Sequence, residues 1–287
     1  MKVPFHVVKA RRERLAQLLG EHRYLPVKEL CRRLGVSEAT ARRDLAALAQ
    51  EKKIKRTFGG ALSEFNERYP SFRERQGRAS RSKSRIGAAA LQFIEPGQTC
   101  FLDSGTTICA LAEAFREKPI KPLTVVTSNL PIAETLAAIP GLQVFLVAGQ
   151  LLHLQSTLLG EVARRSLEFW NFDLAFLSAE GMNAAGLWNS QEAIIEQQRV
   201  VLQRSRRSIF CVDGSKLDGK SAHFLLPWTD VDLLLTDLAY ERLVRAGIDL
   251  PEDRYCPATG LKAGKAGFRR GVEDTDSGEE TFPVHIL

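Results

Sequence analysis

Polar side chains follow five predicted strands in the second half of the chain, at the point where each strand ends. Glycines there let the backbone approach a ligand closely, hydroxyl groups donate hydrogen bonds, and a helix that starts there favours an anion. Because the carboxyl ends of parallel strands meet at one edge of a sheet, these groups are expected to converge on one small-molecule site. The segments are Asp103-Ser104-Gly105-Thr106-Thr107, Thr127-Ser128-Asn129, Ala148-Gly149-Gln150, Ser178-Ala179-Glu180-Gly181 and Asp213-Gly214-Ser215-Lys216.

A second group of candidate residues lies near the N terminus and is basic. A predicted helix starts at Glu38, and its apolar residues turn to one face, which leaves polar and basic side chains exposed at its first half. Such a helix can enter the major groove of DNA, where arginine pairs with guanine and hydroxyls reach phosphate. The alternative is that Arg42, Arg43 and Asp44 form only surface ion pairs. The predicted DNA-binding residues are Ser37, Glu38, Thr40, Arg42, Arg43, Lys53, Lys55, Arg56 and Gly59.

The elements around this helix complete a small basic module. Apolar residues recur at helical spacing over a first segment that ends near Gly20 and over a second segment at about 27–34. Gly35 permits the left-handed turn that ends a helix, and Ser37 is a suitable N-cap for the next one. A basic run then leads into a Gly-Gly turn that suits a β-wing. The pattern predicts a winged helix-turn-helix over residues 1–63.

The charge is distributed unevenly along the 287 residues, whose net charge is +6. Residues 1–85 carry 22 Lys/Arg and 9 Asp/Glu, a net charge of +13, whereas the remainder carries 18 and 25, a net charge of −7. This asymmetry is typical of a polyanion-binding module joined to a domain with another partner. A solvated basic surface is the simpler alternative.

The rest of the chain alternates short apolar strands with helices, which predicts a mostly parallel α/β sheet covered on both faces over residues 85–258. Strands are predicted at 99–103, 123–127, 143–147, 173–178, 208–213 and 231–236, and helices near 84–94, 106–117, 129–138, 160–170 and 190–205.

The segment 64–84 is polar and rich in arginine, and it is predicted to be a linker. It could serve as a hinge, a dimer element, an auxiliary phosphate contact or a plain tether, and Phe65, Tyr69 and Phe72 could dock it onto a neighbouring domain. The tail 259–287 is rich in glycine and charge and is predicted to be disordered.

Several classes of protein are not supported by the sequence. The five cysteines are scattered without a C-x-x-C pair, so neither a disulfide framework nor a zinc site is expected. No G-x-G-x-x-G or Walker motif is present, and no cofactor is predicted. Without a leader or an apolar run of about 20 residues, we expect a soluble, cytoplasmic protein.

The N-terminal run GVSEATARRDLAALAQEKKIKRTFGGAL resembles the signature of the DeoR family of bacterial regulators. The family pattern contains Val-Ser, Thr, Arg-Arg-Asp-Leu and a basic wing that ends in Gly-Gly-Ala. Two positions differ from it. Ala41 stands where the family usually has Ile or Val, and Phe58 stands where it often has His. The resemblance implies a DNA-binding head.

The second half resembles the sensor domain of the same family, through IGAAALQFIEPGQTCFLDSGTT, LTVVTSNLPIAETLA, LLGEVA, DLAFLSAEGMNAAGL and VDGSKL. Together the two resemblances cover most of residues 9–240. The family's sensor fold is related to ribose-5-phosphate isomerase, and its members typically answer to phosphorylated sugars. The resemblance implies a pocket formed by Asp103, Ser104, Gly105, Thr106, Thr107, Thr127, Asn129, Gly181, Glu192, Asp213 and Lys216.

Three features of the second half depart from the family pattern. Gly149-Gln150 stands in place of Gly-Gly, and Ala179-Glu180-Gly181 stands in place of Ala-Asp-Gly. A basic residue that is common a few places after the family's Glu is absent, because Ile195, Glu196, Gln197 and Gln198 follow Glu192. A phosphate would then be held by backbone amides and Lys216, and an altered or uncharged effector is the alternative.

The sequence therefore predicts a transcriptional regulator, usually a repressor in this family, that binds double-stranded operator DNA as a homodimer or homotetramer and senses a phosphorylated sugar. Ser128, Gly149, Gln150 and Glu180 complete the predicted effector-binding set. The rival interpretation is a sugar-phosphate isomerase with an accessory DNA-binding head, in which acid–base chemistry would come from Asp103, Glu192, Asp213 and Lys216. We do not expect an enzyme, because a fold alone does not imply activity.

Overall fold

The computed structural model of the protein describes residues 5–21, 24–51, 54–57, 60–63, 71–219 and 221–258. Predictions that fall on Lys53, Phe58, Gly59, Phe65, Tyr69 or the tail 259–287 lie outside these residues. Within the described part of the chain, every helix is too short or too polar to span a bilayer.

The N-terminal module contains three helices and a small antiparallel sheet in the order β1–β3–β2. The predicted helices and wing are confirmed, and the strand before the second helix is an addition that the sequence did not reveal. The elements are α1 (Phe5–Glu21), β1 (Tyr24–Pro26), α2 (Val27–Leu34), α3 (Glu38–Gln50), β2 (Ile54–Thr57) and β3 (Gly60–Ser63).

A compact apolar core holds the three helices of this module together. Gly35 adopts the left-handed conformation with φ +63°, and the Ser37 hydroxyl caps α3 by accepting a hydrogen bond from the backbone N–H of Thr40 at 3.3 Å. The chain therefore turns sharply between α2 and α3, as the turn residues predicted. The buried side chains are Leu15, Leu18, Val27, Leu30, Ala41, Leu45 and Leu48.

The larger domain consists of a central sheet, two antiparallel additions and the helices around them. Its elements are α4 (Phe72–Gly77), α5 (Ser80–Ala90), β4 (Thr99–Leu102), α6 (Thr106–Glu117), β5 (Leu123–Thr127), α7 (Leu130–Ala137), β6 (Leu142–Leu146), β7 (Gln150–Leu152), β8 (Thr157–Leu159), α8 (Glu161–Glu168), β9 (Leu174–Leu177), β10 (Gly181–Asn183), β11 (Gly186–Asn189), α9 (Glu192–Gln203), β12 (Ser208–Cys211), β13 (His223–Leu226), β14 (Leu233–Thr236), α10 (Tyr240–Arg245) and β15 (Tyr255–Pro257).

The central sheet has seven strands in the order β15–β14–β12–β9–β4–β5–β6, and all of its strand pairs are parallel. All six predicted strands are confirmed, with ends that differ from the predicted ones by at most two residues. From β4 the chain proceeds to one side through β5 and β6, and then to the other side through β9, β12 and β14. The strand order therefore reverses between β4 and β9, which is where doubly wound sheets bind ligands.

Apolar side chains cover both faces of the sheet along its central strands, as predicted, whereas the edge strand β6 is largely exposed. Along β4, Cys100 and Leu102 face one core and Phe101 faces the other. The first core includes Phe115 of α6, and the second includes Leu167 of α8. Strands that are buried on both faces read as continuous apolar runs, which explains why they were visible in the sequence.

Two antiparallel additions were not predicted. One is the hairpin β7–β8, and the other is the three-stranded sheet β10–β11–β13. Segments that looked like loops after the third and fourth strands are therefore strands themselves. Gln150 begins β7, and Gly181 begins β10 opposite Trp188.

The second half of the predicted linker belongs structurally to the sensor domain. Ser71 and Glu74 form a capping box at the start of α4, and Phe72 is only 2% exposed within the first core of the sheet. Helix α5 begins at Ser80 and packs Ile86 into the same core. Packing against the sheet thus begins at residue 71, ahead of the predicted boundary at 85, because polar composition concealed one buried aromatic side chain.

Candidate functional site

The N-terminal half of α3 exposes most of the side chains that the sequence singled out. Glu38, Arg42 and Arg43 are exposed, and the Ser37 and Thr40 hydroxyl oxygens lie 3.0 Å apart. An Nη of Arg42 lies 2.6 Å from a Glu38 carboxylate oxygen, with both side chains about half exposed. Exposed pairs of this kind contribute little to stability, so this contact can open when a phosphate or a base competes for the guanidinium.

Asp44 has a different role from its two arginine neighbours. It is 2% exposed and accepts hydrogen bonds from Nε of Arg11 at 2.6 Å and from Nε of Arg12 at 3.0 Å. The carboxylate therefore fastens α1 to the inner side of α3. The surface ion pair that the sequence left as an alternative does not describe Asp44, because its partners come from another helix.

The wing residues are placed only in part. Lys55 and Arg56 lie on β2, which pairs with β3 through Thr57 and Gly60. The backbone thus forms the predicted wing beside α3. Together, α3 and the wing provide the two basic elements with which a winged helix reads DNA.

A narrow cavity of about 30 Å³ lies at the carboxyl ends of β4 and β9, at the reversal of strand order, and is open to solvent. It combines hydroxyl and amide groups with two cations and one carboxylate. This composition suits a polar, anionic small molecule. The lining residues are Arg75, Ser104, Gly105, Thr106, Thr107, Gln155, Ser178, Ala179, Glu180, Asn189, Ile194 and Lys216.

Asp103 lies behind this cavity and organises it. One carboxylate oxygen accepts the backbone N–H of Ser104 at 2.7 Å. The other accepts the backbone N–H of Ser178 at 3.0 Å, the Ser178 hydroxyl at 2.9 Å and Nε2 of Gln198 at 2.8 Å. The carboxylate is 2% exposed and absent from the lining. Asp103 therefore joins β4, β9 and α9 through hydrogen bonds.

Gln198 stands near the place where the sequence lacked the family's basic residue. Its amide nitrogen also donates to the backbone oxygen of Ser178 at 2.8 Å, and its amide oxygen accepts from Nδ2 of Asn189 at 2.7 Å. The side chain is 1% exposed. A neutral amide here satisfies Asp103 and positions Asn189, but it adds no positive charge to the cavity.

Gly105 and the start of α6 form the wall after β4. A Cβ at Gly105 would overlap the side chain of Ser178, so only glycine fits against β9 here. Among the described residues, no side chain caps the first turn of α6, where Thr106 and Thr107 line the cavity. The N–H groups of a helix start and its dipole favour an anion, so this wall is suited to phosphate.

The residues after β5 support the cavity from behind. Thr127, Ser128 and Asn129 are fully buried. The Asn129 amide donates to the backbone oxygens of Gln155 at 3.4 Å and Ser156 at 3.1 Å. These contacts hold the turn between β7 and β8, which brings the Gln155 side chain to the cavity.

The remaining predicted residues divide between the cavity and its surroundings. Glu180 lines the cavity, and its carboxylate accepts the Ser190 backbone N–H at 3.0 Å. Lys216 also lines it, at the end of a 3₁₀ turn that the buried Asp213 caps. Residues outside the lining are Gly149 and Gln150, which are exposed, Gly181, which is paired in β10, and Glu192, which is exposed at the start of α9.

Six lining residues were not predicted. Ser178 and Ala179 lie within a strand-end segment that the sequence had identified. Asn189 and Gln155 lie on elements that showed no pattern in the sequence. Arg75 comes from the segment taken for a linker, where the docking aromatic Phe72 was the one available signal. The sixth residue is Ile194.

Positive charge gathers at the side of the cavity formed by α4. The Lys83 ammonium group is buried and donates to the backbone oxygens of Arg75 and Arg78, each at 2.6 Å. Burial lowers the pKa of Lys83 from 10.5 to about 8, although Asp213 opposes the shift. The charges of Lys216, Arg75 and Arg78 lower this pKa further, so the neighbourhood is electropositive and favours an anion.

Comparisons with known proteins agree with this division into head and sensor domain. A family model for the DeoR-like helix-turn-helix domain matches residues 11–66, and one for the DeoR C-terminal sensor domain matches residues 78–238.

Individual proteins are similar along most of the chain. The transcriptional repressor GlcR of Bacillus subtilis is 30% identical over 78% of this chain and 88% of its own length. The putative aga operon transcriptional repressor of Escherichia coli O157:H7 is 27% identical over 84% of this chain and 92% of its own length. Among solved structures, ribose 5-phosphate isomerase A of Neisseria gonorrhoeae is 17% identical, with a TM-score of 0.33 over 47% of this chain and 52% of its own. With its helix-turn-helix head and its sensor domain both matched, the chain belongs to the DeoR family of transcriptional regulators.

Proposed function

We propose that this regulator represses genes of carbohydrate metabolism by binding double-stranded operator DNA, and that a phosphorylated sugar in the cavity controls that binding. The observation that carries the effector class is the cavity's own composition. The N-terminal turn of α6 and two cations, Arg75 and Lys216, lie with the carboxylate of Glu180 around one space. The cationic side suits a phosphate, and Glu180 with Asn189 suits sugar hydroxyls.

The DNA contacts are proposed for α3 and the wing. Arg42 and Arg43 supply base or phosphate contacts, Ser37 and Thr40 supply hydroxyls, and the wing lysines and arginine track the backbone. One small head buries too little surface for specific affinity, so we propose a symmetric dimer or tetramer on a two-fold operator. Acting on DNA, the protein would work in the cytoplasm.

We further propose that the sensor domain binds its effector without converting it. Of the groups considered for acid–base chemistry, Asp103 is saturated by hydrogen bonds behind the cavity and Glu192 lies outside its lining. A pair of carboxylates facing one substrate is therefore not supported. The test is turnover of ribose 5-phosphate and glucose 6-phosphate by the purified protein, for which product formation above a no-enzyme control would contradict this proposal.

The effector class is tested by thermal unfolding of the full chain with pentose and hexose phosphates, the matching free sugars, nucleosides and inorganic phosphate. A ligand at about 100 times its Kd stabilises the folded state by roughly 2.7 kcal/mol, which shifts the unfolding temperature measurably. We expect stabilisation by a sugar phosphate and none by its free sugar. Stabilisation by an unphosphorylated compound alone would contradict the proposed class.

A further inference from the structure

Arg75 reaches the cavity from a part of the chain that is not in the sheet. It lies on α4, and seven residues separate Ser71, just before that helix, from Ser63 at the end of the wing. It is thus the lining residue nearest in sequence to the DNA-binding head. Among the described lining residues, only Arg75 and Lys216 carry a positive charge.

Helix α4 is held to the sensor domain at three points, one of which is a hydrogen bond from Nε2 of Gln76 to Sγ of Cys109 at 3.6 Å. Phe72 is buried in the core on one side, and Lys83 hydrogen-bonds to the backbone oxygens of Arg75 and Arg78 at the other end. The helix has six residues, so its position relative to the sheet depends on these few contacts. Any movement of the Arg75 side chain therefore acts on a short helix. In sequence, this helix follows the segment that comes from the head.

The Arg75 guanidinium donates a hydrogen bond to the side-chain oxygen of Gln155. Gln155 is 4% exposed and is held by Asn129 through its backbone oxygen. The acceptor is a neutral amide within the cavity. A phosphate there would be the stronger partner, because it carries the opposite charge and can accept two parallel N–H bonds from the guanidinium.

We propose that Arg75 is the residue that selects the effector's phosphate and that couples its binding to the head, through helix α4. This inference rests on the proposed function, since it needs an anionic effector in the cavity. On phosphate binding, the guanidinium shifts from Gln155 to the phosphate oxygens, with Lys216 on the other side. The movement displaces α4 and with it the end of the segment that leads to the DNA-binding head.

The position of Gln198 supports this assignment. With a neutral side chain committed to Asp103, Ser178 and Asn189, α9 contributes no cation to the lining. The cations of the lining are instead Arg75 of α4 and Lys216, which follows β12. Phosphate recognition and the connection to the head therefore lie on one helix, whereas a cation on α9 would bind the phosphate without acting on the linker.

The test compares Arg75→Gln with Arg73→Gln, which removes the same charge from the same helix but outside this cavity. Calorimetry with ribose 5-phosphate, glucose 6-phosphate and any sugar phosphate that stabilises the wild type, each beside its free sugar, measures affinity. DNA that binds the wild-type protein is first selected from a random library. The affinity of each variant for this DNA, with and without the effector, then measures the coupling. We expect Arg75→Gln to lower sugar-phosphate affinity about tenfold or more, and to abolish the effector's influence on DNA affinity. Arg73→Gln should match the wild type in both.

The outcomes separate this inference from the proposed function. If the wild type binds a sugar phosphate and Arg75→Gln binds it equally well, the assignment of Arg75 is wrong while the effector class stands. If no phosphorylated compound binds the wild type, both are wrong. Should Arg75→Gln fail to fold, Arg75→Lys provides the test, since lysine is shorter and cannot form a two-pronged contact. Wild-type affinity and coupling in Arg75→Lys would also overturn the assignment.

Discussion

The DNA-binding head and the sensor domain each contain a buried carboxylate at the centre of their polar contacts, and these carboxylates meet different partners. Asp44 receives two arginines from a neighbouring helix, whereas Asp103 receives neutral N–H and O–H groups from three elements. Both are 2% exposed. The head thus uses its carboxylate to fasten one helix, and the sensor domain uses its carboxylate to shape a cavity.

The side chains proposed to contact ligands differ in the same way. In the head, Arg42 and Arg43 are exposed, and their hydrogen bonds go only to the preceding turn of the same helix. In the sensor domain, a layer of buried polar residues stands behind the lining residues and orients them. A change at an exposed contact residue of the head should therefore affect binding alone, whereas a change behind the cavity should affect both stability and binding.

Removal of Asp103 should produce the largest effect. Asp103→Ala leaves the N–H of Ser178 and the amide of Gln198 buried without their acceptor, and each unsatisfied group costs about 1–3 kcal/mol. We expect the free energy of unfolding of the sensor domain to fall by about 3 kcal/mol or more and the effector response to disappear. Urea unfolding and calorimetry measure the two results.

Ser104→Ala is the matched control for this change. Ser104 lines the cavity, but its hydroxyl makes only a long contact with the Asp103 carboxylate, at 3.5 Å, so its removal leaves the other hydrogen bonds of Asp103 in place. It should weaken effector binding with little loss of stability. An Asp103→Ala protein that responds to the effector like the wild type would contradict the role of Asp103 as organiser of the cavity.

Removal of Asp44 should produce a smaller effect that is confined to the head. Asp44→Ala releases Arg11 and Arg12 from α3, and we expect a loss of about 2 kcal/mol in the stability of the head. Operator binding should weaken because α1 no longer supports α3. The effector should still stabilise the sensor domain.

Glu38→Ala is the control for this change, because it removes an exposed carboxylate from the same helix. It should leave the stability of the head unchanged. An equal loss of stability in both variants would contradict the special role of the buried Asp44 carboxylate.

A pH titration of stability tests the burial of the Lys83 ammonium group beside the cavity. Because its pKa is about 8 in the folded protein and 10.5 in the unfolded chain, the unfolded chain holds more protons between those values. Raising the pH through that window therefore stabilises the folded state. We expect the stability of the wild type to increase relative to Lys83→Met between about pH 8 and 10.5, and to show a constant difference below pH 8. Parallel curves across the window would contradict the lowered pKa of Lys83 in the folded protein.

The sequence predicted the fold well where burial is continuous. Five of the six predicted strands of the central sheet are buried on both faces and read as short apolar runs. The sixth, the edge strand β6, is apolar in sequence although Phe145 and Leu146 are exposed. The seventh, β15, has three residues and ends in Pro257, so it carries no such pattern. The hairpin β7–β8 and the small sheet β10–β11–β13 are short as well, and their positions depend on contacts with distant segments.

The sequence predicted where the site lies, but not which of its residues line the cavity and which lie behind the lining. Strand ends of a parallel sheet must meet at one edge, and the cavity lies there. Asp103, Ser104 and Thr127 have similar polar character in the sequence, yet Ser104 lines the cavity while the other two lie behind it. Only three-dimensional packing separates the two layers. Arg75 was not identified because a single buried aromatic, Phe72, distinguishes its helix from a solvated linker.

The smallest expected effect on stability belongs to the double substitution Arg42→Ala and Arg43→Ala. Both side chains are exposed, and the ion pair of Arg42 with Glu38 is a surface pair, so we expect stability to change by less than about 0.5 kcal/mol. Affinity for DNA selected by the wild type should nevertheless fall about a hundredfold, because a good base contact contributes roughly 1–3 kcal/mol. Fluorescence anisotropy over a range of salt concentrations measures the loss.

A control with the same loss of charge separates sequence recognition from general attraction to DNA. Arg32→Ala with Arg33→Ala removes two exposed arginines from α2, where both pair with Glu29. Since nonspecific binding depends mainly on the number of phosphates that are neutralised, both double variants should bind random DNA with similar affinity. Only the α3 variant should lose its preference for selected DNA over random DNA. Equal loss of preference in both would mean that α3 is not the element that reads the operator.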